Sequence, residues 1–333
     1  MFSIKRLISL ITCVLMAISL FGQTSAQSKI AIAPFVSEEL DVHESIKSTL
    51  EKKLMQMATQ NGFGASSSAF VITPSLDIID KYATATVPSQ FVVEMEVSFF
   101  VVNIVEDIIV SEISYEVKGV DTSEQKAIKA AINQVNVKSP RVRKFMEASR
   151  AKIVEYYADR VPVILEKAEA QANIGEYENA LATLNAVPES VEGYSMVLDK
   201  MTEIYLKKVD KDAKMVLQEA KAKMALKEYN VAMDKLLKIP PTSSYFEEAS
   251  NMFDNIKSDI DEDEKRRYEV KIQRMEVMKE AFIAFQEDKV AWKDNVKNAA
   301  VEVASDAGKS ILKNVLSNPN LHRKVFNLLL RRR

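Results

Sequence analysis

The sequence predicts an α+β domain, a small mixed sheet with helices, followed by an all-α region of helical repeats. Three observations carry this expectation. Apolar residues alternate at strand period in the first third, as in Val93, Met95, Val97, Phe99 and Val101. The second half matches itself at an offset of 52 residues. Glycine is scarce, seven in 333 residues against an average usage of about 7%, which favours helix and leaves little from which to build a phosphate-cradling loop. Apolar residues at 47% and charged residues at 28% supply an ordinary globular core.

The chain opens with Lys5 and Arg6, an apolar run from Leu7 to Phe21, and the small residues Thr24 and Ala26. This is the three-part pattern of a secretory signal cleaved before Gln27. The apolar run falls short of the ~20 residues needed to span a bilayer. The single cysteine, Cys13, lies inside it, behind Ile11 and Thr12, a poor context for lipidation. Losing residues 1–26 removes two basic and no acidic residues, so the formal net charge moves from −2 to −4. Export, this acidic balance and the lack of any further cysteine predict a disulfide-free protein held by its core, with no nucleic-acid partner.

Lys29 to Val36 reads as a short strand ending near Pro34, and Glu38 to Asn61 as a helix carrying Leu40, Val42, Ile46, Leu50, Leu54 and Met57. His43 falls on its polar side. Ala69 to Thr73 reads as a second strand stopped by Pro74. Gln90 to Asn103 and Ile108 to Gly119 form an antiparallel hairpin, with Gly119 closing the second strand. A helix capped around Asp121-Thr122-Ser123 follows, with Ala127, Ile128, Ala131, Ile132 and Val135 as its stripe. Another begins near Pro140, with Lys138, Arg141, Arg143 and Lys144 interleaved with Val142 and Phe145. The element order, KIAIAPF, FVITP and the hairpin ending VKGVDTSEQKAIKAAI resemble the periplasmic α/β domain family of the curli-secretion channel subunit and related outer-membrane lipoproteins. The resemblance spans about residues 29–135. It implies the periplasm of a two-membrane bacterium and a place in an envelope or secretion assembly.

In the self-match, Ala168-Glu169-Ala170 through Tyr177, Ala180, Leu184, Val187 and Pro188 recurs as Ala220-Lys221-Ala222 through Tyr229, Ala232, Leu236, Ile239 and Pro240. Each unit reads as a helix, a tight turn, a second helix, and a third beyond the proline. Gly175, Tyr177 and Ala180 fit the G-x-Y-x-x-A pattern, and Tyr229 and Ala232 occupy the same places in the second unit, where Lys227 replaces the glycine. This resembles divergent tetratricopeptide repeats, which implies that the helical face grips a protein partner. From the residues themselves, both tyrosines read as packing between helices.

From Asp259 to about Ser305 neither glycine nor proline occurs, and Tyr268, Ile272, Met275, Met278, Phe282 and Phe285 form one stripe, extended by Trp292. Gly193 and Gly308 read as helix junctions. From Ala307 onward Lys309, Lys313, Arg323, Lys324, Arg331, Arg332 and Arg333 face no acidic residue and are interleaved with apolar ones, Phe326 among them. Such an end lies on an anionic membrane, docks on an acidic partner, or folds back onto its own body. The expected parts are a signal peptide at 1–26, the α/β domain at 27–137, repeats at 138–258, a long amphipathic helix at 259–306 and a basic amphipathic tail at 307–333.

No catalytic, metal or cofactor site is expected. Asp259, Asp261 and Asp263 have calcium-loop spacing, but Glu264 stands where the loop needs glycine and Val270 where it needs a glutamate. Glu94 with Glu96 and Glu112 with Glu116 read as the polar alternation of a hairpin face. The expected function is a non-enzymatic scaffold or adaptor binding partner proteins. The alternatives are an envelope-polymer hydrolase, which would need converging carboxylates in a cleft, and a membrane-surface protein acting through the tail.

Overall fold

The computed structural model describes residues 30–64 and 68–331; the signal-like segment with Cys13, and Arg332 and Arg333, lie outside them. A small four-stranded mixed sheet precedes a mostly helical region. The chain forms two units. The first runs up to Glu155 and takes in Pro188–Ser190 and the chain from Asn318 onward; the second comprises Tyr156–Val187 and Val191–Ser317.

In the first unit the strands are β1 (Ala33–Pro34), β2 (Phe70–Ala83), β3 (Phe91–Asn103) and β4 (Ile108–Asp121), in the order β1-β2-β3-β4. β1 runs parallel to β2, and the other pairs are antiparallel. Val93, Met95, Val97, Phe99 and Val101 alternate onto one face of β3 and are fully buried. Helix α1 (Glu44–Gln60) buries Ile46, Leu50, Leu54 and Met57, and α2 (Glu124–Gln134) buries Ala127, Ile128, Ala131 and Ile132. Each such isoleucine, leucine or methionine side chain contributes about 1.5–3 kcal/mol. The Ser123 hydroxyl caps α2 by accepting from Lys126 N–H. At its other end the Lys53 ammonium donates to the Asn133 and Val135 carbonyls, and burial lowers the pKa of that amine. Helix α3 (Pro140–Ala158) buries Val142, Phe145 and Met146.

Several expected boundaries move for physical reasons. The first strand shrinks to two residues, with Ile32 making one further bridge to Gly64. His43 is not on a helix face but caps α1, its Nδ1 accepting from Ser45 N–H. Pro74 does not stop β2. Phe35 N–H donates to Ile72 C=O, so Ile72, and by alternation position 74, directs its backbone groups away from β3. A missing N–H there breaks no ladder bond. Gly119 does not end β4 either. A Cβ at 119 would stand 1.8 Å from the Ala127 carbonyl oxygen, so the glycine lets α2 cross directly over the strand.

The second unit is helical: α4 (Val161–Asn173), α5 (Tyr177–Asn185), α6 (Tyr194–Ala225), α7 (Tyr229–Leu236), α8 (Phe246–Asp259), α9 (Glu262–Arg267), α10 (Glu269–Glu287) and α11 (Lys289–Leu316). The expected single helix over 259–306 is interrupted at Ile260, whose extended backbone follows α8, at Tyr268 and at Asp288. Asp261 then starts α9 by accepting from Glu264 N–H, a capping role for a member of the calcium-like triplet. Gly308 lies inside α11, beside the Asn185 side chain, and not at a junction. The expected stripe of α10 packs inward, with Met275 buried and Tyr268, Ile272, Met278 and Phe282 against the same core. The Phe285 ring meets Trp292 edge-on at 5.8 Å.

Candidate interaction surfaces

The 52-residue offset holds at the level of elements. α4 ends at Asn173 and α6 at Ala225, α5 and α7 start at Tyr177 and Tyr229, and α6 and α8 start at Tyr194 and Phe246. One continuous helix, α6, therefore supplies the third helix of the first copy and the first helix of the second. The turns match bond for bond: Glu176 N–H donates to Gln171 C=O and Gly175 N–H to Ala172 C=O, as Glu228 does to Lys223 and Lys227 to Met224. Both turns need a left-handed residue, Gly175 at φ 85° and Lys227 at φ 55°. Ala180 and Ala232 are fully buried, where only small side chains let helices approach. Tyr177 and Tyr229 are half-buried. The Lys211 ammonium lies 5.1 Å from the first ring's centroid, and the second ring packs on the core of its copy.

Charges did not keep the offset. Glu169 pairs with Lys200, whereas its counterpart Lys221 pairs with Glu248. Lys200 and Lys207 donate to Glu203, which lowers that carboxyl's pKa and, on the other side, raises that of Lys200. Asp210 accepts from the hydroxyls of Ser243 and Ser244 and from Ser244 N–H, a latch with no equivalent at Ala158. Two exposed apolar positions did keep it. Val163 and Met215 are 62% and 49% exposed, and Ile174 and Leu226, next to the left-handed turns, are 73% and 65% exposed.

The basic tail separates into two structures. Lys309 and Lys313 belong to α11, and Lys309 pairs with Asp306. Arg323, Lys324, Phe326 and Arg331 belong to, or directly follow, helix α12 (Leu321–Leu330), which is part of the first unit. Leu321, Val325 and Leu329, one turn apart, are buried there. His322 anchors the helix: its carbonyl accepts from the Ser37 hydroxyl, its Nδ1 from Glu38 N–H, and its ring stacks on Phe35 at 4.9 Å. Lys324 pairs with Asp107 at 2.9 Å. The apolar face is thus spent within the unit, and Arg323 and Arg331 remain exposed.

Sequence reasoning missed a groove on the first unit. An open cavity of about 630 Å³ is lined by Asp41, His43, Ile78, Glu124 and Ile128 among others. A smaller one of about 200 Å³ is lined by Leu40, Leu76, Met95 and Phe326, and shares Asp41, Val42, Ile78 and Ile128 with the first. Five separate segments build it, so no local spacing announces it. Lys81 pairs with Glu124 at 2.9 Å. Among the described residues no group of three or more His, Cys, Asp or Glu could hold a metal ion, and no helix is long and apolar enough to cross a membrane. No family model, curated protein or solved structure matches the chain.

Proposed function

We propose that the chain is an exported, non-enzymatic scaffold or adaptor whose two helical copies bind a partner protein in an envelope or secretion assembly. The observation that supports this reading is the pair of apolar side chains held in the solvent at equivalent places, Ile174 with Leu226 and Val163 with Met215. Singly exposed apolar residues are ordinary. Recurrence of exposed apolar character at the same places in two copies whose ion pairs have diverged is what a repeated contact with a partner would retain. The divergent tetratricopeptide resemblance points the same way, and the resemblance of the α/β domain supplies the periplasmic setting.

The test is in-cell photo-crosslinking from positions 174 and 226, read by mass spectrometry. A shared protein product from both sites, lost in the Ile174→Asp/Leu226→Asp double variant, is the expected result. Products that differ between the sites, or that survive the double variant, would sink the reading. The membrane-surface alternative asks α12 to expose Leu321, Val325 and Leu329, which are buried in the first unit.

A further inference from the structure

The two edges of the sheet are treated differently. On β4, the outward carbonyls of Ser114 and Lys118 accept from the side chains of Arg141 and Gln134, which blunts that edge. On β2, pairing with β1 stops at Ile72, and among the described residues no strand lies beside β2 beyond it. Because Ile72 faces outward, Leu76 and Ile78 also direct their backbone N–H and C=O groups to the open side. Both cavities are lined by this stretch, Ile78 in each and Leu76 in the smaller. The open stretch is short, bounded by Pro74, which has no N–H to offer, and by the irregularity between Ile78 and Asp80; within it Ile78 is 48% exposed.

We propose that an extended, basic segment of a partner protein adds to β2 as a strand beside Leu76 and Ile78. Free backbone donors and acceptors in a row select an extended chain over a helix or a small molecule. Side chains of an added strand alternate, so those on the side of Leu76 and Ile78 enter the cavities two residues apart. The smaller cavity, walled by Leu40, Leu76, Met95 and Phe326, takes one apolar side chain. The larger takes the next, and its carboxylates decide the charge: Glu124 is shared with Lys81, while Asp41 has no ion-pair partner among the described residues. A Lys or Arg there completes the pairing. This surface is independent of the repeats.

The probe is the fluorescein-labelled peptide Thr-Leu-Thr-Lys-Thr-Val-Thr, titrated with the full chain by fluorescence anisotropy. Saturable binding is expected, weakened about fivefold when Glu replaces the Lys and about tenfold when the leucine amide is N-methylated, the loss of one main-chain bond. Ile78→Pro removes an N–H that the ladder does not use and should also weaken binding about tenfold; Asp41→Asn should erase most of the Lys-over-Glu preference. The N-methylated peptide keeps the test valid if Ile78→Pro folds poorly. Equal binding of the N-methylated peptide, no charge preference, or no saturation overturns the proposal. So does a sedimenting dimer that Ile78→Pro dissociates, because a second copy would then occupy the edge.

Discussion

Gly175 and Lys227 occupy one turn in two copies, so exchanging their chemistry tests whether the copies share backbone energetics as well as shape. At φ 55° a side chain crowds its own carbonyl, which costs roughly 1–2 kcal/mol. Glycine relieves this but adds unfolded-state freedom that offsets about 0.5–1 kcal/mol. Lys227→Gly is therefore expected to stabilise the turn by about 0.5–1 kcal/mol, and Gly175→Ala to destabilise its own by about the same. A Cβ at 175 would meet only the end of the Lys211 side chain at 3.3 Å, which can move aside. Neither exchange should disturb the core. Native-state hydrogen exchange reads each turn separately, at the Glu176 and Glu228 amides that close it. About 1 kcal/mol is roughly a fivefold change in protection. Slower exchange at Glu228 in Lys227→Gly, with faster exchange at Glu176 in Gly175→Ala, is the required pattern. No gain at Glu228 would refute the claim that the lysine is strained there.

Other perturbations have equally definite outcomes. Gly119→Ala drives a methyl into the backbone of α2 and should destabilise the first unit by more than about 3 kcal/mol, seen as a lowered denaturation midpoint. His322→Ala removes the acceptor for Glu38 N–H and the stack on Phe35, at a cost of about 1–2 kcal/mol; faster exchange should appear across Leu321–Leu330. Glu203 has a carboxyl pKa below the ordinary 4.5, held there by its bonds from Lys200 and Lys207. A depressed carboxyl stabilises the fold above 4.5 and loses that contribution as pH falls through its folded value. Glu203→Gln should flatten the acid limb of stability against pH by a few tenths of a kcal/mol, because the pair is solvent-exposed. Asp210→Ala frees three donors at the start of α8 and should cost about 1–2 kcal/mol, measured by urea unfolding.

Where a local period governs structure, the sequence was legible. The β3–β4 hairpin, the stripe of α2 and the 52-residue offset all follow from spacing. Pro74 reads locally as a stop for β2, and only the pairing on each side of the strand shows that its missing N–H breaks no ladder bond. Gly119 reads as a strand end for a related reason: the need for glycine comes from a helix crossing over it, not from its own turn. The interruption at Asp288 carries neither glycine nor proline, so nothing local marks it. Among the proposed contact residues, Ile174 and Leu226 could be aligned from the offset, but their exposure depends on what covers each copy. The groove was invisible because Asp41, Leu76, Glu124 and Phe326 meet only after folding.

The shared helix α6 has a consequence for how such an array could grow or stop. Its halves belong to consecutive copies, so a further 52-residue module inserted in register would find its junction already built, with no new linker to invent. The equivalent stretch after α8 is divided at Ile260 and again at Tyr268. The chain there changes course where another shared helix would have begun, so among the described residues the second copy runs on into separate helices and not into one continuous helix.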